Sequence, residues 1–551
     1  MSSYVFSFGA DSAKYESPEP IILISGFMCS PLFENFGEEN ETKVWGPNSQ
    51  SIISALKENV KSVGKSLFKG TSALGEEIGK TINQVLSPLE CLPNGSSKKS
   101  LKHYENNPGA SNISYMLETD EGKYLYEIPF CTYLNSISNG KNIFCFEYDS
   151  RLPANILADE LSEFIDAVLE YTGQKKVKLF ALSYGGLICA SYFYKYGSSL
   201  VCDAVLSVPA LGGTDLVWRI LRGNIDIKGN AAIKFFETAS RSTAEFSSYF
   251  KNLSSDTLNE LLSAICSNVG SIVKNWGSIW CLCRNEYYEE LKADFLDSEE
   301  NAELIENTDY VHYNIMANMQ KILKKCRESG TAVSIICGEG TPLALGGSLN
   351  GDLVLPASGV SGATVCDIGE KFDENYLENA TLNYISPDNT IDASTCYLPD
   401  NTFFVKNHYH GQYYYESYTR SLVTKLLFTD EIKDIYSSAA FTQFASSDNQ
   451  YKTISVSFNN SETGFISADS CAIKIKNIGE KCKIKVLKIQ GDESKFKSIL
   501  SGLIGEGEEI EIPFENHFDY SSNTHKITVT YLKIGALHPV RKAEFIFGTE
   551  S

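Results

Sequence analysis

The stretch Val177-Lys178-Leu179-Phe180-Ala181-Leu182-Ser183-Tyr184-Gly185-Gly186 constrains this chain more than any other. It joins an apolar run of strand character to the apolar run Leu187 to Tyr196 of helical character, with only a few residues between them. A strand followed that closely by a helix forces the intervening residue into a sharp, strained turn with its side chain exposed. The residues two before and two after must be small, and here they are Ala181 and Gly185. The motif is A-x-S-x-G, and it places Ser183 where a nucleophile belongs. Short β-branched or aromatic runs recur at Pro20 to Ser25, Asn142 to Tyr148, Ala204 to Val208 and Val333 to Cys337, with a helical pattern from about Leu157 to Tyr171. Strands alternating with helices of this length predict a parallel α/β sheet.

At 551 residues the chain exceeds what one core usually needs. Residues 1–440 read as the α/β domain, with an insertion over 51–115 and a helical cap over about 214–330. In the cap, Leu258, Leu261, Leu262 and Ile265 recur at helical spacing, and Leu304 to Leu323 is a second amphipathic piece. From Ser446 the pattern changes to period two, in short runs near 454, 473, 485, 510, 528 and 545. That spacing predicts a separate all-β domain over 446–551, an Ig-like sandwich.

Composition narrows the partners. Lys plus Arg number 48 against 69 Asp plus Glu, a net charge of −21, and an acidic chain repels phosphate backbones, so nucleic acid is not expected. The first twenty residues lack a basic segment followed by an apolar one, and no run of about eighteen apolar residues occurs, so a cytoplasmic protein, at most peripherally membrane-bound, is expected. Fifteen cysteines, an odd number without C-x-x-C pairs, read as reduced structural thiols. No His, Cys or carboxylate cluster has ligand spacing, so neither metal nor cofactor is expected.

A serine hydroxyl needs a base, and in this arrangement the acid and then the base follow the nucleophile in the chain. Of seven histidines, His103 and His312 come too early, and His517, His525 and His538 fall in the β region. That leaves His408 and His410; His410 is favoured, with the other structural. Asp352 follows the Val333 to Cys337 strand after a glycine-rich loop and is the expected acid, with Asp367 as the next candidate and a plain Asx turn as the alternative. A buried carboxylate there would fix the imidazole tautomer and stabilise the imidazolium. The expected oxyanion donors are the amides of Tyr184, next after the serine, and Phe27, in Gly26-Phe27-Met28-Cys29-Ser30. Each such donor lowers a barrier by about 2.7 to 4 kcal/mol.

Within the insertion, Ile52, Leu56, Val60, Val63 and Leu67 recur at helical spacing beside Lys57, Lys61, Lys65 and Lys69, and the pattern resumes with Leu74, Ile78, Ile82 and Val85. A cationic amphipathic helix over 51–86 can lie in a lipid interface. An ordinary packed helix with solvated lysines is the competing reading, and Gly64, Gly70, Gly75 and Gly79 each weaken free helicity by about 1 kcal/mol. Trp276, Ile279 and Trp280 in the cap read either as an acyl pocket or lid, or as plain core.

Taken in order, several blocks resemble the lecithin:cholesterol acyltransferase family, which includes lysosomal phospholipase A2 and phospholipid:diacylglycerol acyltransferases. They are Pro20 to Leu32, Val44-Trp45-Gly46-Pro47, Phe146 to Leu152, Val208 to Gly213 and Gly351 to Ser358. The resemblance spans residues 20 to about 430. It implies an α/β-hydrolase that cleaves a glycerolipid acyl ester through an acyl-serine at a membrane surface, handing the acyl group to water or a lipid alcohol. Three positions depart from the family pattern: Ala181-Leu182 for Gly-His in the elbow, Ser25 for a proline, and Ser150 for a tryptophan. The competing functions are a catalytically silent fold that binds membranes or proteins, and a soluble esterase for small acyl groups.

Overall fold

A computed structural model describes residues 15–46, 70–227, 231, 254–381, 384–411, 417–438 and 441–446, the strands between 454 and 549, and residue 508. Its contacts divide into two units, one of residues 1–414 and 422–444, the other of 415–421 and 445–551.

The first unit is built on a seven-stranded, mostly parallel sheet. Its strands are β1 (Ile21–Ile24), β2 (Ile143–Phe146), β3 (Val177–Leu182), β4 (Val201–Ser207), β5 (Ala332–Glu339), β6 (Thr402–Lys406) and β7 (Phe444–Ser446). Their spatial order is β7-β6-β5-β4-β3-β1-β2. All pairs from β2 through β6 are parallel, with Ile24 opposite Ala181 and Leu206 opposite Ile335. Every side chain of β1 and β2 is buried, as expected for a parallel sheet covered on both faces. Helices flanking the sheet and packing around it include α1 (Thr71–Leu86), α2 (Ala154–Thr172), α3 (Tyr184–Tyr196) and α4 (Ser255–Val273). This is an α/β fold. Strand β6 was not foreseen, because its five residues TFFVK adjoin the histidine motif without a break in pattern.

Where it is described, the region expected to be a cap is largely helical, but it divides between two cores. Trp280, Tyr288, Leu291, Leu304, Val311 and Leu323 join the main core with the sheet, whereas Leu258, Leu261, Leu262 and Cys266 of α4 form a separate cluster with Ile78 of α1. Trp276, Ile279 and Trp280 are 2 %, 7 % and 0 % exposed, so plain core is what the structure shows. Their indoles donate inward, Trp276 to the Leu89 carbonyl at 3.0 Å and Trp280 to that of Lys274 at 2.7 Å.

Helix α1 lies against α4, and its glycines make that approach possible. A Cβ on Gly75 would stand 2.7 Å from the Leu261 carbonyl oxygen, and one on Gly79 would stand 2.8 Å from Asn268 Cβ. The helicity these glycines forfeit is exchanged for close packing, so the apolar face of residues 71–86 is occupied. Lys57, Lys61, Lys65 and Lys69 lie outside the described residues.

The second unit contains a three-stranded antiparallel sheet of Ile454–Phe458, Ala472–Asn477 and Glu509–Pro513. A five-stranded sheet contains Cys482–Ile489, Thr524–Lys533 and Val540–Thr549, with the short strands Lys497–Ser498 and Phe465–Ile466 at its edges. The last of these pairs parallel with Val540–Thr549.

Candidate active site

The site stands at the carboxyl ends of β1, β3, β5 and β6. Ser183 follows β3 directly with φ 53 and ψ −119 and precedes the first turn of α3. Its amide donates to the Ser207 carbonyl at 3.2 Å, and its own carbonyl accepts from Gly186 and Ala210, both at 2.9 Å. The small residues around it are sterically required. A Cβ on Gly185 would sit 2.5 Å from the Ile24 carbonyl oxygen, and one on Gly186 would sit 2.3 Å from Pro209 Cβ.

His410 Nε2 is 3.0 Å from Ser183 Oγ, and His410 Nδ1 is 2.7 Å from Asp352 Oδ2. The His410 amide also donates to the Asp352 carbonyl at 2.8 Å, so the two loops are fastened by backbone as well as side chain. Asp352 is fully buried, and its other oxygen accepts from the amides of Val354 and Leu355 at 3.0 and 2.7 Å. The Asx turn and the imidazole contact therefore coexist in one carboxylate: the turn aims the oxygen that meets the histidine. Asp367 instead takes the Ser348 hydroxyl. His408 is wholly buried beside Gly338, where a Cβ would lie 3.3 Å from its Cδ2. His312 is stacked on Tyr288 at 3.6 Å, and burial lowers its pKa to about 4.

Gly26 and Phe27 come up beside the serine from β1. A Cβ on Gly26 would approach Ser183 Cβ to 3.2 Å, and the Phe27 ring meets those of Tyr184 and Trp276, each with centroids 6.3 Å apart. Tyr184 is buried, and that burial raises its hydroxyl pKa far above the ordinary value, keeping it a donor to the Leu152 carbonyl at 2.9 Å.

Backbone strain concentrates here. Of nine described non-glycine residues with positive φ, Met28, Ser183, Val208, Leu353 and Asn407 lie in the loops that follow β1, β3, β4, β5 and β6. Left-handed conformations of this kind cost on the order of 1 to 3 kcal/mol each and persist where the surroundings enforce them.

Glu339, the last residue of β5, lies between the acid and base loops. Its carbonyl accepts from the Asn407 amide at 2.6 Å, the next amide, that of Gly340, donates to Asn350 Oδ1 at 2.5 Å, and its carboxylate is 3.5 Å from Asn350 Nδ2. Burial pushes its carboxyl up to about 7, although Lys406 opposite it in the sheet pulls the other way. Sequence reasoning passed over Glu339, Ser150 and Trp45 as site residues, since their contacts depend on distant partners. Among the described residues no group of three His, Cys, Asp or Glu side chains is disposed to hold a metal. No helix among them is long and apolar enough to cross a membrane.

No protein-family model matches the chain, and no curated protein does either. Among solved structures, similarity is found to the Tle4–Tli4 complex, at 13% identity and TM-score 0.24 over 58% of this chain and 74% of that one. A carboxylesterase from the thaumarchaeon Nitrososphaera gargenis gives 13% identity and TM-score 0.19 over 43% and 71%. Bacillus licheniformis lipase BlEst2 in propeptide form gives 9% and 0.22 over 80% and 91%. Superpositions this poor do not bear on the chemistry, which is read from the site itself.

Proposed function

We propose that this chain is an α/β-hydrolase-type serine acyl-ester hydrolase, with Ser183 as nucleophile, His410 as general base and Asp352 as the acid that orients it. The observation that carries the reading is the continuous chain Ser183 Oγ, His410 Nε2, His410 Nδ1, Asp352 Oδ2, with links of 3.0 and 2.7 Å, mounted on a strained turn between strand and helix. Supporting it, the three residues follow β3, β5 and β6 in chain order serine, aspartate, histidine, the order of such enzymes.

In this reading the imidazole accepts the Ser183 proton as Oγ attacks the ester carbonyl carbon. The buried Asp352 carboxylate stabilises the imidazolium that forms. The carbonyl oxygen, now negative, accepts hydrogen bonds from the amides of Phe27 and Tyr184. Collapse of the tetrahedral intermediate expels the alcohol, which takes the proton from His410 and leaves an acyl-serine. Water or a lipid alcohol, deprotonated by His410, then releases the acyl group.

The substrate class we infer is a glycerolipid ester presented at a membrane surface, and the ordered blocks shared with the acyltransferase family are what support it. The test is fatty-acid release, read by mass spectrometry, from mixed phospholipid and neutral-lipid vesicles with the protein and with Ser183→Ala. Release lost in the variant supports the reading, and a new acylated lipid identifies a transferase. Release only from soluble short-chain esters points to a small-acyl esterase. None at all points to a silent binding fold.

A further inference from the structure

The oxyanion donor assigned to Phe27 belongs to the Gly26–Phe27 peptide, whose carbonyl end is Gly26 O. That oxygen lies 2.9 Å from the Tyr148 hydroxyl, which also stands 2.7 Å from the Ser25 carbonyl. A peptide unit is planar, with N–H and C=O pointing opposite ways, so a group that fixes one end aims the other. The adjoining residue is gripped at both ends. The Met28 amide donates to Ser150 Oγ at 2.9 Å, and the Met28 carbonyl accepts from Trp45 Nε1 at 2.9 Å. Tyr148 and Ser150 are 0 % and 3 % exposed, so water does not replace them. Met28 is held at φ 63, a left-handed conformation that a methionine does not adopt without such enforcement.

We propose that Tyr148 and Ser150, with Trp45 behind them, are positioning residues that lock the Gly26–Phe27 and Phe27–Met28 peptides so that the Phe27 N–H faces the developing oxyanion. The inference rests on the serine-hydrolase reading above. Ser150, the position where the family pattern has tryptophan, holds the loop with a hydroxyl that accepts the Met28 amide. The brace touches no reacting atom. Its effect is to place a donor before reaction, where preorganised donors act most strongly.

The experiment compares wild type with Ser150→Ala, Ser150→Thr, Tyr148→Phe and Trp45→Phe on the p-nitrophenyl ester of a short fatty acid. It also measures inhibition by a boronic acid, which forms a tetrahedral anionic adduct with the serine. Labelling by a fluorophosphonate is run beside it. Ser150→Ala and Tyr148→Phe are expected to lower kcat about 10- to 100-fold, below the loss from deleting an oxyanion donor outright, with KM little changed. Boronate affinity falls by the same factor, and Ser150→Thr recovers most of the rate. If Tyr148→Phe does not fold, Ser150→Ala and Trp45→Phe carry the test. An unchanged kcat in folded Ser150→Ala, a loss wholly in KM, or a threonine variant no better than alanine would overturn the brace. Failure of wild type to take the fluorophosphonate overturns the hydrolase reading itself, a result distinct from the others.

Discussion

Replacing Glu339 with glutamine should make the protein increasingly more stable than wild type as the pH rises. The wild-type carboxyl, 4 % exposed at the end of β5, keeps its proton to about pH 7, while in the unfolded chain it loses the proton near its ordinary value of 4.5. Below that lower value both states are protonated and the residue is neutral, much like glutamine. Between the two values only the folded state still binds the proton. There the wild type loses about 1.4 kcal/mol of stability for each pH unit. Over the whole window the loss approaches about 3 kcal/mol, with the pull of Lys406 on the carboxylate already included in the raised value. Above pH 7 the loss is complete. The glutamine amide does not titrate, so the variant escapes it. Urea unfolding of both proteins at half-unit steps from pH 4 to 8.5 checks this, with the difference expected to open between 4.5 and 7 and then to level off. A flat difference, or a wild type that gains on the variant as pH rises, would refute the reasoning, the latter showing that Lys406 outweighs burial.

Other changes test the site from different sides. Asp352→Asn should leave the fold intact and lower kcat about 10,000-fold, by analogy with loss of a triad carboxylate, in steady-state ester hydrolysis; a loss under tenfold would remove Asp352 from its role. Gly185→Ala drives a Cβ to 2.5 Å from the Ile24 carbonyl oxygen, so stability should fall by about 3 kcal/mol in thermal unfolding and activity with it. Replacing Lys57, Lys61, Lys65 and Lys69 together by glutamate should abolish co-sedimentation with anionic vesicles if residues 51–86 supply peripheral attachment. Unchanged sedimentation would end that idea.

Much of the sheet could be read directly, since buried parallel strands are runs such as IILI and VKLFAL whose apolar character has no other use. The elbow was legible for the same reason: Ala181, Ser183, Gly185 and Gly186 are what a strand-to-helix turn demands. What the pattern could not supply was the partner of each contact. Gly75 and Gly79 read as weaknesses in a helix, because periodicity names the buried face without naming Ala264 and Asn268 across from it. Trp276 and Trp280 read as core more readily than as pocket, and the main-chain carbonyls of Leu89 and Lys274 opposite their indoles settle it as core. Ser150 reaches Met28 across 122 residues of chain, a distance over which no local signal operates. For His408 and His410, two residues apart, the sequence favoured His410, and geometry decides it, since His408 packs on Gly338 while His410 spans Ser183 and Asp352.

The central claim is that Ser183 is the nucleophile of an acyl transfer, and the most direct measurement is peptide mapping by mass spectrometry after reaction with a fluorophosphonate or quenched ester substrate. The account predicts one adduct per chain, on the peptide carrying Ser183, absent from Ser183→Ala and strongly slowed in His410→Ala. An unmodified protein, or an adduct on another residue, would contradict it.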